Sequence, residues 1–244
     1  MLSTLGGCGS PSRGLDRVQE AGVLRVAIDP SFPPFESVDA EGDIVGLDAD
    51  LADAIAAELG VEAHLVTTGY DALYDALTVG RADVIISALY PDPARSRGFA
   101  FSTPYFNAGY VLVVPRESVI TGAQDLAGRS LASVFGTVGH MEALSWRETL
   151  EPPISVTTAE DAQGVIAHLT AGDVDAAVLD HVSARTALGK HPQLTIVWPP
   201  ITDEPYVIAA RREDEDLVDK IDEILQELEA EGRLEALIET WMQP

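Results

Sequence analysis

The chain has 244 residues, 46% of them hydrophobic and 23% charged, with 15 Lys and Arg against 40 Asp and Glu for a net charge of −25. That length and composition belong to a globular protein with a full core, in one large domain or two of about 120 residues, and argue against a fibrous or disordered chain. No apolar run approaches the roughly 20 residues of a transmembrane helix, and the negative charge argues against nucleic acid or an anionic membrane surface as partner.

In chain order, Val23–Ile28 is the first strand, ended by Asp29-Pro30-Ser31-Phe32-Pro33-Pro34-Phe35, a stretch that cannot be helix. Asp48 is placed to N-cap a helix with Leu51, Ala52, Ile55, Ala56 and Leu59 on one face and Gly60 as its terminating glycine. Glu62–Thr67 reads as a second strand, Asp71–Val79 as a helix closed by Gly80, and Asp83–Leu89 as a third strand. Strand, helix, strand, helix, strand is the pattern of a parallel sheet covered on both faces. Pro91 and Pro93 then halt the chain before a loop that carries Arg95.

The second half repeats the pattern: strand Ser130–Val134, turn Phe135-Gly136-Thr137, a helix from Val138, strand Ile154–Thr157, helix Glu160–Leu169 and strand Asp175–Leu179. Leu77-Thr-Val-Gly80-Arg-Ala-Asp83 is echoed by Leu169-Thr-Ala-Gly172-Asp-Val-Asp175, although any tight connection from helix to strand favours such residues. The acidic run Glu213–Asp216 precedes Leu217, Val218, Ile221, Ile224, Leu225 and Leu228 at helical spacing, where it complements the helix dipole and needs no ligand. The expected architecture is α/β: two similar lobes with mixed, mostly parallel sheets flanked by helices, joined by two extended hinge strands within 107–113 and 194–207. Residues 18–107 and 206–244 form the first lobe, 108–205 the second with the crossovers, and 1–17 an N-terminal segment and linker.

Ligands of open α/β sheets bind beyond the carboxyl ends of the strands. That rule selects Asp29 and Phe32 after the first strand, Ser87 to Arg95 after the third, Phe135 to Gly139 at a helix N-terminus, and Asp180 after Val178-Leu179. Arg95 then suits a ligand carboxylate. The same residues have structural readings: Arg95 as a solvated loop arginine, Asp180 as the N-cap of a helix running from His181 towards Leu188, Phe32 and Tyr70 as packing residues. The five histidines show no metal-ligand spacing with cysteines or acids, and Gly136-Thr-Val-Gly139 is too short and lysine-free for a phosphate loop. No metal or cofactor is expected.

Over about residues 18–243 the chain resembles the extracellular solute-binding proteins of polar amino-acid ABC importers, which have the type II periplasmic-binding fold. The resemblance rests on Leu24-Arg-Val-Ala-Ile-Asp29-Pro-Ser-Phe-Pro-Pro-Phe35-Glu, Gly46-Leu-Asp48-Ala-Asp50-Leu-Ala, Ala82-Asp83-Val-Ile-Ile-Ser87, Arg95 with Phe101-Ser-Thr-Pro-Tyr105, Gly136-Thr137, and Ala171-Gly172-Asp-Val-Asp175-Ala-Ala-Val-Leu-Asp180. It implies a carboxylate clamp at Arg95 assisted by amides near Thr137 and Val138. It implies an ammonium acceptor at Asp180, helped by Ser87 and the backbone around Ala88 and Tyr90. Aromatic walls fall on Phe32 and Tyr70, and Asp29 falls where some relatives meet a polar or basic ligand side chain. Tyr90-Pro91 replaces the family's usual Ser or Thr, and Ala88 and Gly139 lack side-chain groups that relatives often supply.

Leu5-Gly6-Gly7-Cys8 resembles a bacterial lipobox, implying lipidation at Cys8 and an extracytoplasmic location; a flexible Gly/Ser tail is the other reading of the same residues. The resemblance implies a monomer that performs no chemistry, captures an amino acid between closing lobes and passes it to a membrane permease. The fold also serves cyclohexadienyl dehydratases, for which Glu36 or Asp29 would have to act as general acid, and the sensing modules of receptors.

Overall fold

The computed structural model describes residues 14–95 and 97–242, so Cys8 lies outside the described residues. Among the described residues two compact units form, one from those up to Tyr105 together with Val207–Leu237, the other from Phe106–Tyr206 and the described residues from Ile238. The type II periplasmic-binding architecture expected from the sequence is present: two mixed sheets, each flanked by helices.

In the first unit the strand order is Glu62–Thr67, Val23–Ile28, Val84–Ile85, Ala209–Arg211, Phe99–Phe101. The first three run parallel, and Ala209–Arg211 is antiparallel to both of its neighbours. The second unit repeats this as Ser155–Ala159, Ser130–Val134, Ala176–Asp180, Tyr110–Pro115, Leu194–Val197, with Tyr110–Pro115 antiparallel to its two neighbours. Residues 110–113 and 194–197, expected within the connectors, are therefore sheet, in the strands Tyr110–Pro115 and Leu194–Val197. Val111, Val113, Val114 and Leu194 are buried there, and apolar β-branched residues favour that pleated, two-sided core over an exposed linker. Outside it, Phe106–Asn107 pairs antiparallel with Pro205–Tyr206.

The internal echo is a repeated clamp between strands. Asp83 accepts a hydrogen bond from Arg25 N at 3.1 Å and donates its own N–H to Arg25 O; Asp175 accepts from Ser130 N at 2.8 Å and donates to Ser130 O. In both copies the preceding helix ends at a glycine in the left-handed region, Gly80 at φ 72° and Gly172 at φ 78°. Each carboxylate thus registers one strand start against its parallel neighbour. In the first unit the guanidinium of Arg25 adds two further bonds to Asp83, and burial is outweighed, so the Asp83 carboxyl is held below its ordinary range.

Three local expectations are corrected. Asp48 does not cap the helix Leu47–Leu59: Gly46 occupies the cap at φ 141°, and Asp48 lies in the first turn, fully buried. Gly46 is required because a Cβ there would lie 2.1 Å from the Phe35 carbonyl oxygen. The third strand is only Val84–Ile85, because Ala88 takes a left-handed φ of 40° and turns the chain. Residues 14–17, read as linker, begin a helix, Gly14–Ala21, whose first amides donate to Asp216 and whose Arg17 holds Asp214 through two bonds of 3.0 and 2.9 Å.

Candidate ligand-binding site

At the carboxyl ends of the first unit's strands, hydrogen bonds and a shared cavity tie together Asp29, Ser87, Tyr70, Tyr90 and Arg95, while Phe32 pairs with Glu36 and Ala88 with Asp48. Asp29, directly after Val23–Ile28, donates its N–H to Ser87 Oγ at 3.0 Å and accepts from Tyr70 N through Oδ2 at 2.8 Å. The Tyr70 hydroxyl in turn reaches the Tyr90 amide. Phe32, Tyr70 and Tyr90 remain 50%, 45% and 43% exposed, so their rings are open to contact with a ligand. Phe32 stacks on buried Phe35 with ring centroids 5.7 Å apart.

Tyr70, Tyr90 and Arg95 line a cavity of about 360 Å³ together with Tyr74 and Asp92. Arg95 ends the short turn Pro93–Arg95. Its guanidinium carbon lies 4.3 Å from the centre of the Tyr74 ring, and its Nε donates to Asp92 Oδ2 at 3.1 Å. Asp92 uses its other oxygen to accept from Ala94 N at 2.9 Å, so one carboxylate both shapes the turn and holds the arginine. Burial pushes the Tyr74 hydroxyl up to about 12, partly offset by the Arg95 charge. The arginine, anchored on an aromatic face but half-exposed, is presented rather than buried.

Ser87 and the adjacent Ala88 are buried, unlike Phe32, Tyr70, Tyr90 and Arg95. The Ser87 hydroxyl donates to Glu36 Oε1 at 2.8 Å while accepting from Asp29 N, so it braces the strand end from behind. Next to it, Ala88 N donates to Asp48 Oδ2 at 2.6 Å. Burial, reinforced by the neighbouring Asp48, pushes the Glu36 carboxyl up to about 10, and burial pushes Asp48 up to about 6 against its hydrogen bonds from Glu36 and Ala88.

In the second unit Thr137 N-caps the helix Val138–Thr149, its Oγ1 accepting from His140 N at 3.2 Å and donating to Val134 O. Val138, the first helical residue, is 50% exposed. Asp180 ends the strand Ala176–Asp180 and caps the helix His181–Lys190, Oδ1 accepting from Ser183 N at 2.9 Å. Tyr110, opposite Asp180 in the antiparallel ladder, links these features: its hydroxyl engages Thr137 and the Val138 amide. The Tyr110 ring also explains Gly139, where a Cβ would lie 2.5 Å from Tyr110 Cδ1 and 2.6 Å from Val178 Cγ1.

A larger cavity of about 450 Å³ lies between the helices Ala162–Ala171 and His181–Lys190, but none of the expected residues lines it and no carboxylate or arginine reaches it. The strand-end groups, with their paired charges and exposed aromatics, are the better candidate. Among the described residues no cluster of His, Cys, Asp and Glu is arranged to hold a metal ion, and no helix is long and apolar enough to cross a membrane.

Four contributors went unread at the sequence level or were read in another role: Glu36, Asp48, Asp92 and Tyr110. Asp48 carried a signal, since it shares the i, i+3, i+4, i+7 stripe with Leu51, Ala52 and Ile55, and a carboxylate on an apolar stripe is bound for burial. Nothing local distinguishes Tyr110 from the β-branched run that follows it.

Known proteins resemble this chain in sequence and fold. The chain is 29% identical over 230 residues to the L-cystine-binding protein TcyJ of Escherichia coli (strain K12), covering 93% of this chain and 85% of that one. An ancestral cationic amino acid solute-binding protein superposes with a TM-score of 0.60 at 31% identity, over 93% of this chain and 99% of the other. An ancestral cyclohexadienyl dehydratase superposes with a TM-score of 0.81 at 25% identity, over 96% and 98%. With residues 24–244 matching the family pattern from the first strand to the last residue, the chain belongs to the bacterial extracellular solute-binding proteins, family 3.

Proposed function

We propose that this protein binds an amino acid outside the cytoplasmic membrane and delivers it to the permease of an ABC importer, without chemistry of its own. The observation that carries the reading is Arg95, half-exposed, stacked on Tyr74 and lining a cavity walled by Tyr70 and Tyr90. Arg95 takes the ligand carboxylate, since a guanidinium fork matches a carboxylate, with help from the amides at Thr137 and Val138. Asp180 takes the ammonium through Oδ2, its Oδ1 being committed to the helix cap. Phe32, Tyr70 and Tyr90 pack the ligand side chain, Asp29 meets any polar or basic group on it, and the Ala88 backbone assists while Ser87 supports from behind. The protein works as a monomer held at the membrane through lipid on Cys8.

Relatives named for cystine and for cationic amino acids set the range of ligands to try. Protein unfolded and refolded to remove carried-over ligand is screened by thermal shift against the common amino acids and cystine. A true ligand at 100 times its Kd raises stability by about 2.7 kcal/mol. A flat screen overturns the reading. The likeness to an ancestral dehydratase makes prephenate and arogenate the necessary controls, and turnover of either would replace binding with catalysis.

A further inference from the structure

The least expected feature of the first unit is a pair of acids inside its core. Glu36 is 1% exposed and Asp48 is 0% exposed. Each spends one oxygen on the chain segment that follows the third strand: Glu36 Oε1 accepts from Ser87 Oγ at 2.8 Å, and Asp48 Oδ2 accepts from Ala88 N at 2.6 Å. The other two oxygens, Glu36 Oε2 and Asp48 Oδ1, are buried without a well-aligned partner; the Tyr105 hydroxyl lies within reach of the Asp48 carboxyl, and the two carboxyls are close enough to hydrogen-bond to each other. Two carboxylates in that position would place like charges side by side in a medium of low dielectric, and two unpartnered acceptors would each forgo a hydrogen bond. One proton held between them removes both penalties.

We infer that Glu36 and Asp48 are positioning residues that share a single proton, and that this acid–carboxylate pair holds the Ser87–Ala88 turn in its left-handed geometry. The strain supports the assignment. Ala88 is the one described residue other than glycine with positive φ, at 40°, a conformation that an L-residue keeps only when its surroundings over-determine it. A 2.6 Å bond from its N–H to a carboxylate supplies that constraint. Glu36 carries the proton, because Asp48 must stay anionic to hold the Ala88 amide strongly while Glu36 only accepts from a hydroxyl. The other titratable groups facing the pair leave this assignment in place: Asp29 adds negative charge towards Glu36, the Tyr105 hydroxyl lies beside Asp48, and the Tyr70 hydroxyl lies within reach of the field of Glu36. The proton thus reaches the ligand indirectly, through the backbone at Ala88 and Tyr90. That last step rests on the function proposed above; the shared proton and the turn do not.

Linkage sets the sign. A carboxyl that keeps its proton when folded and loses it at an ordinary value when unfolded makes stability fall as pH rises through the interval between the two, here from about 4.5 to about 10 for Glu36. Glu36→Gln places a permanent N–H donor where the proton was and has no charge to lose. Its melting temperature, compared with wild type, gains steadily between about pH 5 and about pH 9. Infrared difference spectra of wild type against E36Q at about pH 8 show an un-ionised carboxylic acid in the wild type that the variant lacks. The Ala88 amide resonance stays in place in E36Q and moves in Glu36→Ala. If E36A does not fold, the E36Q measurements stand by themselves.

Parallel melting profiles, or the absence of an acid band, overturn the shared proton. An Ala88 resonance unmoved in a folded E36A overturns the positioning role. Binding separates the two levels of the proposal, read with whichever amino acid the wild type takes up in the thermal-shift screen: affinity stays within about threefold in E36Q and drops at least tenfold in E36A. If no amino acid binds the wild type, the functional reading fails, while the ligand-free melting, infrared and amide measurements still decide the pair.

Discussion

Arg95, the proposed carboxylate clamp, already holds a partner within the chain. Its contact with Asp92 is an exposed ion pair, 48% and 42% open to solvent, and such pairs contribute about 0–1 kcal/mol. If Arg95 takes a ligand carboxylate as proposed, that carboxylate would displace or share Asp92, which would then act as a weak internal competitor. Asp92→Asn keeps the acceptor for Ala94 N and weakens the competition, and calorimetry should show binding tightened by up to about fivefold. Arg95→Ala should cost about 2–5 kcal/mol of affinity with little change in the ligand-free melting temperature. Wild-type affinity in R95A removes Arg95 from the site.

Asp180 shows that two readings of one residue need not compete. Its Oδ1 is a helix cap, as one reading of the sequence had it, and the other oxygen is the one assigned to ammonium. Asp180→Ala should lose about 1 kcal/mol of stability together with affinity, whereas Asp180→Asn keeps the cap and loses the charge. Full affinity in D180N would leave the residue a cap alone. Glu36 and Asp48 were harder to read: a carboxyl's burial depends on what packs over it, and one-dimensional spacing reports only that Asp48 faces inward.

At the scale of elements, helix ends and strand starts were legible because their chemistry is local. Gly60, Gly80 and Gly172 terminate helices in left-handed geometry as their positions imply, and Leu217, Val218, Ile221, Ile224, Leu225 and Leu228 are all buried on one face of Glu215–Ala230. The third strand was overread because Ile86–Leu89 looks apolar and extended; its turn is imposed from outside, by the Asp48 carboxylate on the Ala88 amide. Gly139 is likewise decided from outside. Gly139→Ala should destabilise the second unit by about 1–3 kcal/mol in denaturant unfolding, since its Cβ would overlap Tyr110 and Val178. Shrinking the ring in a Tyr110→Leu background should recover part of the loss, and an equal penalty in both backgrounds would disprove the clash.

For the whole molecule, a net charge of −25 resists association with anionic surfaces, so retention at a membrane needs an anchor. Stable anchoring takes more than one acyl chain. Metabolic labelling of the native gene product with a palmitate analogue should mark the wild type and miss Cys8→Ser; equal labelling of both would remove the lipid anchor.

The sequence by itself determined the family, the α/β repeat and the strand ends from which the proposed binding groups project. These follow from hydrophobic period, from glycine and proline punctuation, and from the echo of Leu77–Asp83 in Leu169–Asp175, all of which act over a few residues. Only the tertiary structure decided that Ser87 is a brace, that Arg95 rests on Asp92 and Tyr74, that Tyr110 excludes a side chain at Gly139, and that Glu36 meets Asp48. The physical reason is common to all four: burial and pairing energies depend on which groups the fold brings within hydrogen-bonding distance, and residues 12 apart, as Glu36 and Asp48 are, or 29 apart, as Tyr110 and Gly139 are, leave no periodic trace of that meeting.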